Sequence, residues 1–581
     1  MAAFLSVETS LTGRRWTGPT AETDRAAQAI ARDADLPLPV ARLLAARAIP
    51  AAEAEAHLDP KLRDLLPDPR SLRDMDAAAA RLVAAVTGAE RIAIFADYDV
   101  DGAASAALLI GWLAAQGRTA TLYVPDRIDE GYGPNVPAMS ALARDHDLIV
   151  CVDCGTLSHE PVAAARGADV VILDHHLGGE TLPGAIACVN PNRQDESGDL
   201  SHLCAAGVTF LALVEANRRL RKADRPVPDL MAMTDLVALA TVADVAPLVG
   251  VNRAFVRTGL AVMAGRARPG LVALADAAGL DRAPDSHHLG YVLGPRVNAG
   301  GRIGRADLGA RLLAATTPAE AARLAAELER LNAERRAIEV AVRTEALAQA
   351  EARGTDTALV WAAGEGWHPG VVGIVASALK EATNRPAVVI ALDGDTGKGS
   401  GRSTSGVDLG AAVHRVAAEG LLLRGGGHRM AAGLTVARAA IPAAMDRLAE
   451  LLARQGAGAT GPADLAIDGL LMPQAATVDL VALLDRAGPF GAAAPAPRFA
   501  FPAMQVMSAR TLNGGHLKLS VGDGTGQRLE AIAFGAAEGP LGRALLQAQG
   551  ARFHLAGRIE TNHWQGRQSV QLKLEDAAPA A

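Results

Sequence analysis

Phe, Trp and Tyr together make up only 3% of this chain, and cysteine occurs four times in 581 residues. So few cysteines exclude a disulfide-built scaffold. Cys151 and Cys154 have C-x-x-C spacing, but no second such pair exists to complete a zinc site. Cys151 also falls within an apolar run, so both read as small buried hydrophobes and a reducing, cytoplasmic compartment is expected. An excess of basic charge is missing too: 57 Lys and Arg stand against 64 Asp and Glu, a net charge of −7. A general nucleic-acid coat is thereby excluded, and any phosphate contact must come from local patches. Arg14-Arg15 is not followed by an apolar stretch, which argues against an export signal. The most apolar long segment, residues 231–251, carries Asp235 and Asp244. Each acid would cost about 2.5–3.5 kcal/mol at a bilayer centre, so a buried helix is expected and no membrane span.

Half of the residues are hydrophobic, so large cores can form, and the length suits about four domains. The chemistry concentrates at Asp97-Tyr98-Asp99-Val100-Asp101-Gly102. The apolar run Arg91 to Ala96 precedes it as a buried strand, and a helix-forming run from Ala103 follows. The acids therefore lie where a strand ends and a helix begins, the usual ligand-binding edge of an open α/β sheet. The pattern recurs. A strand over 147–152 ends at Asp153, and a strand over 169–173 ends at Asp174-His175-His176. Asp235, inside an apolar segment, is costly unless paired, hydrogen-bonded or on a metal, and is expected as a fourth contribution. Packed carboxylates repel unless a cation holds them. Carboxylates with adjacent imidazoles suit Mn²⁺ better than Mg²⁺ alone, and a pair of such ions suits phosphoryl transfer.

This series of motifs resembles the DHH phosphoesterase superfamily, and within it the bacterial single-strand-specific 5′→3′ DNA exonucleases. The resemblance implies that Asp99, Asp101, Asp153, His175 and Asp235 hold a two-ion Mn²⁺ or Mg²⁺ site, with Asp97 and His176 orienting ligands or water. Single-stranded DNA is then the substrate, in repair and recombination. A helicase and a single-strand-binding protein are the implied partners, and a monomer is expected.

The rest of the chain supplies phosphate-binding candidates. The Gly- and Pro-bearing stretch 125–133 reads as a loop, either an ordinary surface loop or, through Arg127, a phosphate contact; the family carries a similar stretch here. Residues 294–305, Gly-rich with Arg296, Arg302 and Arg305 and no acid, read as a loop of backbone amides and guanidinium forks, with Asn298 assisting. Thr317-Pro318-Ala319-Glu320 has the form of a capping box opening a long helix. Three further Gly-rich loops carry His368, then Ser400 and Arg402, then His428. Gly397-Lys398-Gly399-Ser400 is not a nucleotide loop, because Ser or Thr must follow Gly-Lys directly. The three loops in this order are similar to the DHH-associated domain and make a candidate cradle for a nucleic-acid backbone.

From about residue 460, short alternating strands and the turn Asp523 to Gly526 predict a small barrel of OB type. Over 496–575 nine Lys and Arg exceed five Asp and Glu, giving +4 and leaving −11 elsewhere. A basic barrel fits a single-strand track, with Phe534, Phe553 and Trp564 as candidates for base stacking. The Gly-Asn-Pro turn usual in this family is replaced by Gly491-Ala-Ala-Ala-Pro495.

The expected architecture is α/β: a helical N-terminal lead-in over 1–75, a parallel-sheet DHH domain over 76–315, a connecting helix over 316–354, an α/β DHH-associated domain over 355–455, and an OB-type barrel over 456–581. Two other readings compete with the exonuclease: a non-catalytic DHH scaffold that binds single strands, and a DHH phosphoesterase of short oligonucleotides. The nearly complete acid and imidazole set speaks against the first, and the basic barrel against the second.

Overall fold

The computed structural model describes residues 3–458, 464–564 and 567–580, the side chains of His563 and Trp564 excepted. Trp564, expected to stack on bases, therefore lies outside the described side chains. The chain divides into two compact units, Leu62–Gly461 and a second formed by Met1–Lys61 with Pro462–Ala581.

The larger unit opens on a five-stranded, wholly parallel sheet. Its strands are β1 (Ile92–Ala96), β2 (Ala120–Tyr123), β3 (Leu148–Val152), β4 (Asp169–Leu173) and β5 (Ala187–Val189), in the order β2-β1-β3-β4-β5. β1 and β3 are buried at every position, because helices cover both faces and the runs are apolar throughout. α1 (Val100–Ala115) starts directly after the acid motif. Asp99 caps it, with Oδ1 accepting from the backbone N–H of Asp101 at 2.8 Å and of Gly102 at 3.2 Å. Gly102 is required by proximity: a Cβ there would lie 2.4 Å from the Asp97 carbonyl oxygen. α2 (Ala205–Lys222) and α3 (Thr234–Ala243) pack beside α1.

Residues 294–305 do not form the expected loop. Gly294–Ile303 is a helix, α4, preceded by a π-helical segment His288–Leu293. Its glycines serve close packing and not an amide cradle. A Cβ at Gly301 would lie 2.6 Å from the Tyr98 carbonyl oxygen, and one at Gly294 would lie 2.9 Å from that of Leu289. α5 (Pro318–Arg353) is the expected long helix, with Thr317 Oγ1 accepting from the Glu320 N–H at 3.4 Å. It packs on α4 on one side and on α6 (Val372–Thr383) on the other.

The second sheet of this unit comprises β6 (Val360–Glu365), β7 (Ala387–Asp393), β8 (Thr396–Arg402), β9 (Arg424–His428) and β10 (Ala431–Ala437), in the order β9-β10-β8-β7-β6. Only β6 and β7 are parallel neighbours. Two stretches expected as loops, around Ser400 and around His428, are strands. In β8 the glycines alternate with Lys398, Ser400 and Arg402. A Cβ at Gly397, Gly399 or Gly401 would lie 2.6–2.8 Å from Ile390, Leu434 or Leu409, so the glycine face lies flush on the apolar core. The period of two then puts Lys398, Ser400 and Arg402 on the other face.

In the second unit, β11 (Phe499–Leu512), β12 (His516–Gly522), β13 (Arg528–Ala533), β14 (Arg552–Trp564) and β15 (Arg567–Pro579) pair in the order β11-β12-β13-β15-β14. A further pairing of β11 with β14 closes the barrel. The N-terminal helical segment belongs to this unit up to Lys61 and is built into it. Trp16–Thr17 pairs in parallel with Leu465–Ala466, and the buried Trp16 Nε1 donates to Asp576 Oδ2 at 2.9 Å. Among the described residues, no helix is long and apolar enough to cross a membrane.

Candidate metal centre and phosphate pocket

The C-terminal ends of β1, β3 and β4 lie side by side, and their following residues converge. His175 Nε2 stands 3.2 Å from Asp153 Oδ1, 3.7 Å from Asp101 Oδ2 and 3.8 Å from Asp244 Oδ2. Ligand atoms of Asp97, Asp99 and Asp153, of Asp101, His175 and Asp244, and of Asp153, His175 and His176 each lie within 4.8 Å of one another. Asp153 thus belongs to two of these trios. Its backbone takes φ +60°, a costly conformation for Asp at the end of β3.

The electrostatics describe a centre short of positive charge. Burial raises Asp97 and Asp153 well above the usual carboxylate range, and their acid neighbours add to it. Burial and the charges of Asp101 and Asp99 push Asp244 up to about 9. Asp97 Oδ1 and Asp153 Oδ1 are buried without a hydrogen-bond partner. A divalent cation satisfies both needs at once, and the mixed carboxylate and imidazole donor set fits Mn²⁺ or Mg²⁺. Asp101 is held differently: its two oxygens accept from the N–H groups of Ala205 and Ala206, at 2.6 and 2.8 Å, at the start of α2.

Asp174, first of the Asp-His-His run, is a scaffold for the other two. It accepts from Thr156 Oγ1 at 2.7 Å, from the Thr156 N–H at 3.0 Å and from the N–H groups of His175 and His176. Burial alone would raise it, but its bond to His176 and the Thr156 donors outweigh this and hold it low. In return His176, although burial lowers it, is raised to about 9 by its hydrogen bond to Asp174. Asn190 and Asn192 donate to the backbone carbonyls of His176 and His175. Tyr132 donates to the Asp153 carbonyl at 2.9 Å and lies 2.9 Å from His176 Nδ1.

Asp235 is not part of this centre. It begins α3, and both its oxygens are taken by Arg268, at 2.7 and 2.9 Å. Asp244, directly after the other end of α3, takes the place expected of it; nine residues of helix separate the two by about 13 Å. Both acids sit in one apolar segment, and the cost of burial singled out one of them where the argument applied equally to both. Tyr132, also not anticipated, lies in the loop that drew attention through Arg127.

The arginines divide in the same way. Arg296 is buried, paired through Nε and Nη2 with Glu329 and through Nη1 with the Val292 carbonyl, and is not available to phosphate. Arg127, Arg302 and Arg402 do come together. Burial and the neighbouring Arg127, Arg335 and Arg402 hold Arg302 down to about 10, and burial with Arg127 lowers Arg402. Among the described residues none of the three makes an ion pair with a carboxylate. Arg127 lies over the Tyr98 ring at 4.6 Å, and Arg402 donates to Ser400 Oγ at 3.0 Å. Asn298, one helical turn before Arg302, has its Oδ1 buried without a partner. His428 is exposed on β9, in register with Ala431 and through it with Arg402.

Three segments match known family descriptions: residues 91–241 the DHH family N-terminal domain, 356–454 the DHHA1 domain, and 467–576 the RecJ OB domain. The chain is 37% identical to the single-stranded-DNA-specific exonuclease RecJ of Dickeya dadantii over 97% of its own length and 98% of that protein's. The chain belongs to the RecJ family. RecJ of Escherichia coli K12 is 36% identical over 94% of this chain and 96% of its own. The crystal structure of RecJ in complex with Mn²⁺ from Thermus thermophilus superposes with a TM-score of 0.80 at 30% identity, covering 97% of this chain and 79% of that one. A second structure of exonuclease RecJ bound to manganese gives 0.58 at 37% identity, over 68% of this chain and 97% of that one. Relatives of this length match both units.

Proposed function

We propose that this chain is a metal-dependent exonuclease that removes mononucleotides from single-stranded DNA in the 5′→3′ direction. The observation that carries the reading is the juxtaposition across Tyr98. Asp97 and Asp99 flank it on the side of a centre where buried carboxylates repel one another, and Arg127 lies over its ring in a pocket whose arginines have no carboxylate ion-pair partner among the described residues. A DNA end complements both, with one phosphate in the pocket and the next at the metals.

Two divalent ions, Mn²⁺ or Mg²⁺, supply Lewis-acid activation of water and neutralise charge on the phosphoryl oxygens when bound. Asp97, Asp99, Asp101, Asp153, His175 and Asp244 would hold them. His176, its ring held by Asp174 and Tyr132, offers a proton at Nδ1 or Nε2 beside Asp153. Arg127, Arg302 and Arg402, with Ser400, bind the terminal phosphate in a low-dielectric setting where charge-assisted bonds are strong. Asn298 and His428 extend the polar rim. The direction 5′→3′ rests on the family likeness, as do the roles in repair and recombination, the cytoplasmic setting, the monomeric state, and a helicase and single-strand-binding protein as partners.

The test is a digestion of 5′-labelled and 3′-labelled single strands with Mn²⁺, Mg²⁺ or chelator, with blunt duplex as control. Metal-dependent release of the 5′ label as mononucleotide, sparing duplex, is the expected result, and Asp153→Ala abolishes it while single-strand binding persists. Tight binding without cleavage by the natural sequence would instead establish a non-catalytic scaffold.

A further inference from the structure

In a chain this poor in aromatic residues, exposed rings are informative. Among the described residues the large exposed aromatics are Tyr132, Phe534 and Tyr291. Tyr132 belongs to the metal centre and Phe534 to the barrel. Tyr291 is the most exposed of the three, at 71%, and nothing described above accounts for it. It lies in the π-helical segment His288–Leu293, and its ring is stacked on that of His287, with centroids 4.9 Å apart and planes 26° apart. The stack leaves one face of the tyrosine ring to solvent. π-Helical turns are rare and tend to occur at functional sites, because the extra residue re-aims side chains.

The position of this turn is set by its packing. A Cβ at Gly290 would lie 3.3 Å from Val242 Cγ1, and one at Gly294 would lie 3.2 Å from Ala243 Cβ and 3.9 Å from Val100 Cγ2. The segment therefore lies against the last turn of α3, immediately before Asp244, about 8–10 Å from the α3 axis. Val245, next after Asp244, is itself 70% exposed with φ +58° and adds an apolar side chain there. The π-helical segment runs straight into α4, whose far end carries Arg302 in the arginine pocket. Eleven residues separate Tyr291 from Arg302, or about 16 Å along the axis. Between them α4 follows the acid motif, Gly294 near Val100 and Gly301 on Tyr98.

We infer that Tyr291, backed by His287, is a stacking platform for a base of the single strand on the far side of the metal centre from the arginine pocket. The inference rests on the exonuclease reading and adds a subsite to it: the pocket takes the terminal phosphate, the metals take the next, and the strand leaves past Asp244 onto the tyrosine face. Stacking is indifferent to base identity, which suits an enzyme that must digest any sequence. It also requires an unpaired base, since a base in a duplex offers no free face.

Two measurements test this. In the Asp153→Ala background, strands carrying 2-aminopurine at successive positions from the 5′ end are titrated and their fluorescence followed. One position near the end should be quenched by stacking, and Tyr291→Ala should abolish that quench while Tyr291→Phe keeps it. In the active protein, Tyr291→Ala should raise KM about tenfold, as loss of one base stack does, with the effect in KM and not in kcat. An abasic residue at the quenched position should cost the natural sequence the same factor and cost Tyr291→Ala nothing more. A quench unchanged by Tyr291→Ala, or an abasic penalty undiminished in that variant, overturns the platform. If the natural sequence binds strands with a Tyr291-dependent quench but cleaves none, the nuclease reading falls and the platform stands; if it binds no strand, both fall.

Discussion

Arg302 donates through Nη1 to the carbonyl of Gly370 at 3.1 Å, and a Cβ added at Gly370 would lie 2.2 Å from the Arg302 carbonyl oxygen. This reciprocal contact clamps α4 of the DHH portion to the loop that opens α6. It sets the distance between the acid centre and the Ser400–Arg402 strand, and so, on the proposed reading, the spacing at which two successive phosphates would be held.

Gly370→Ala therefore perturbs geometry more than stability. Overpacking costs about 1–3 kcal/mol, and the neighbour that must move is backbone. Turnover should fall at least tenfold while the melting temperature drops by only a few degrees. Steady-state kinetics with thermal melts on the same preparation decides it, and activity within twofold of the natural sequence would falsify the spacing argument.

Asp244→Asn and Asp235→Asn should behave oppositely. The first replaces a carboxyl that the metal-free fold must hold protonated with a neutral amide, so the metal-free protein keeps or gains stability while turnover is lost. The second breaks the buried pair with Arg268 and leaves a cation uncompensated, a cost of about 3–5 kcal/mol, but the folded fraction stays active. Loss of activity in a stable, fully folded Asp235→Asn protein would return that residue to the metal centre.

Arg402→Ala should act on the end of the strand. The natural sequence is expected to prefer a 5′-phosphorylated strand to a 5′-hydroxyl strand through KM, and the variant should lose that preference. Because Arg402 sits among like charges, its removal should not lower the melting temperature. Competition between the two strand types in one digestion reads the ratio directly.

The acid centre also fixes a pH response. Asp244, pushed up to about 9, holds a proton in the folded chain that the unfolded chain has lost above about pH 4. Between those values the folded state binds more protons, so stability of the metal-free protein falls as pH rises. His176, raised to about 9, works in the same direction: its contribution is full below about pH 6.5 and is lost as pH rises through 9. Metal removes the effect by displacing the Asp244 proton. Melting curves from pH 5 to 9 with chelator should slope downward, and the slope should flatten with Mn²⁺. Calorimetric titration in buffers of different ionisation enthalpy should show proton release on metal binding.

Much of the site was legible because its residues sit at strand ends in local sequence runs. Asp97 to Asp101, Asp153 and His175-His176 needed only a recognised strand before them. The misplacements share a different cause. Asp235 and Asp244, and Arg296 and Arg302, are pairs in which chemistry and neighbourhood look alike in sequence, and only the partner decides between them. Arg268 and Glu329 claim Asp235 and Arg296 from 33 residues away in each case. The glycines misled for a related reason. In α4 and β8 they mark close approach of regular elements, which a one-dimensional pattern cannot tell from a flexible loop.

The union of Trp16 with Asp576 has a consequence for how the protein comes into being. Residues 3–61 leave the ribosome some 400 residues before the strands that complete their core. At about 5–20 residues per second that is a wait of roughly 20–80 s. During it the indole lacks Asp576 and the helices over 21–46 have mainly each other to pack on, while the residues of the catalytic unit are still being added. Synthesis thus exposes an adhesive N-terminal segment for most of its duration, and a chaperone that shields that segment until release would raise yield without touching the enzyme's chemistry.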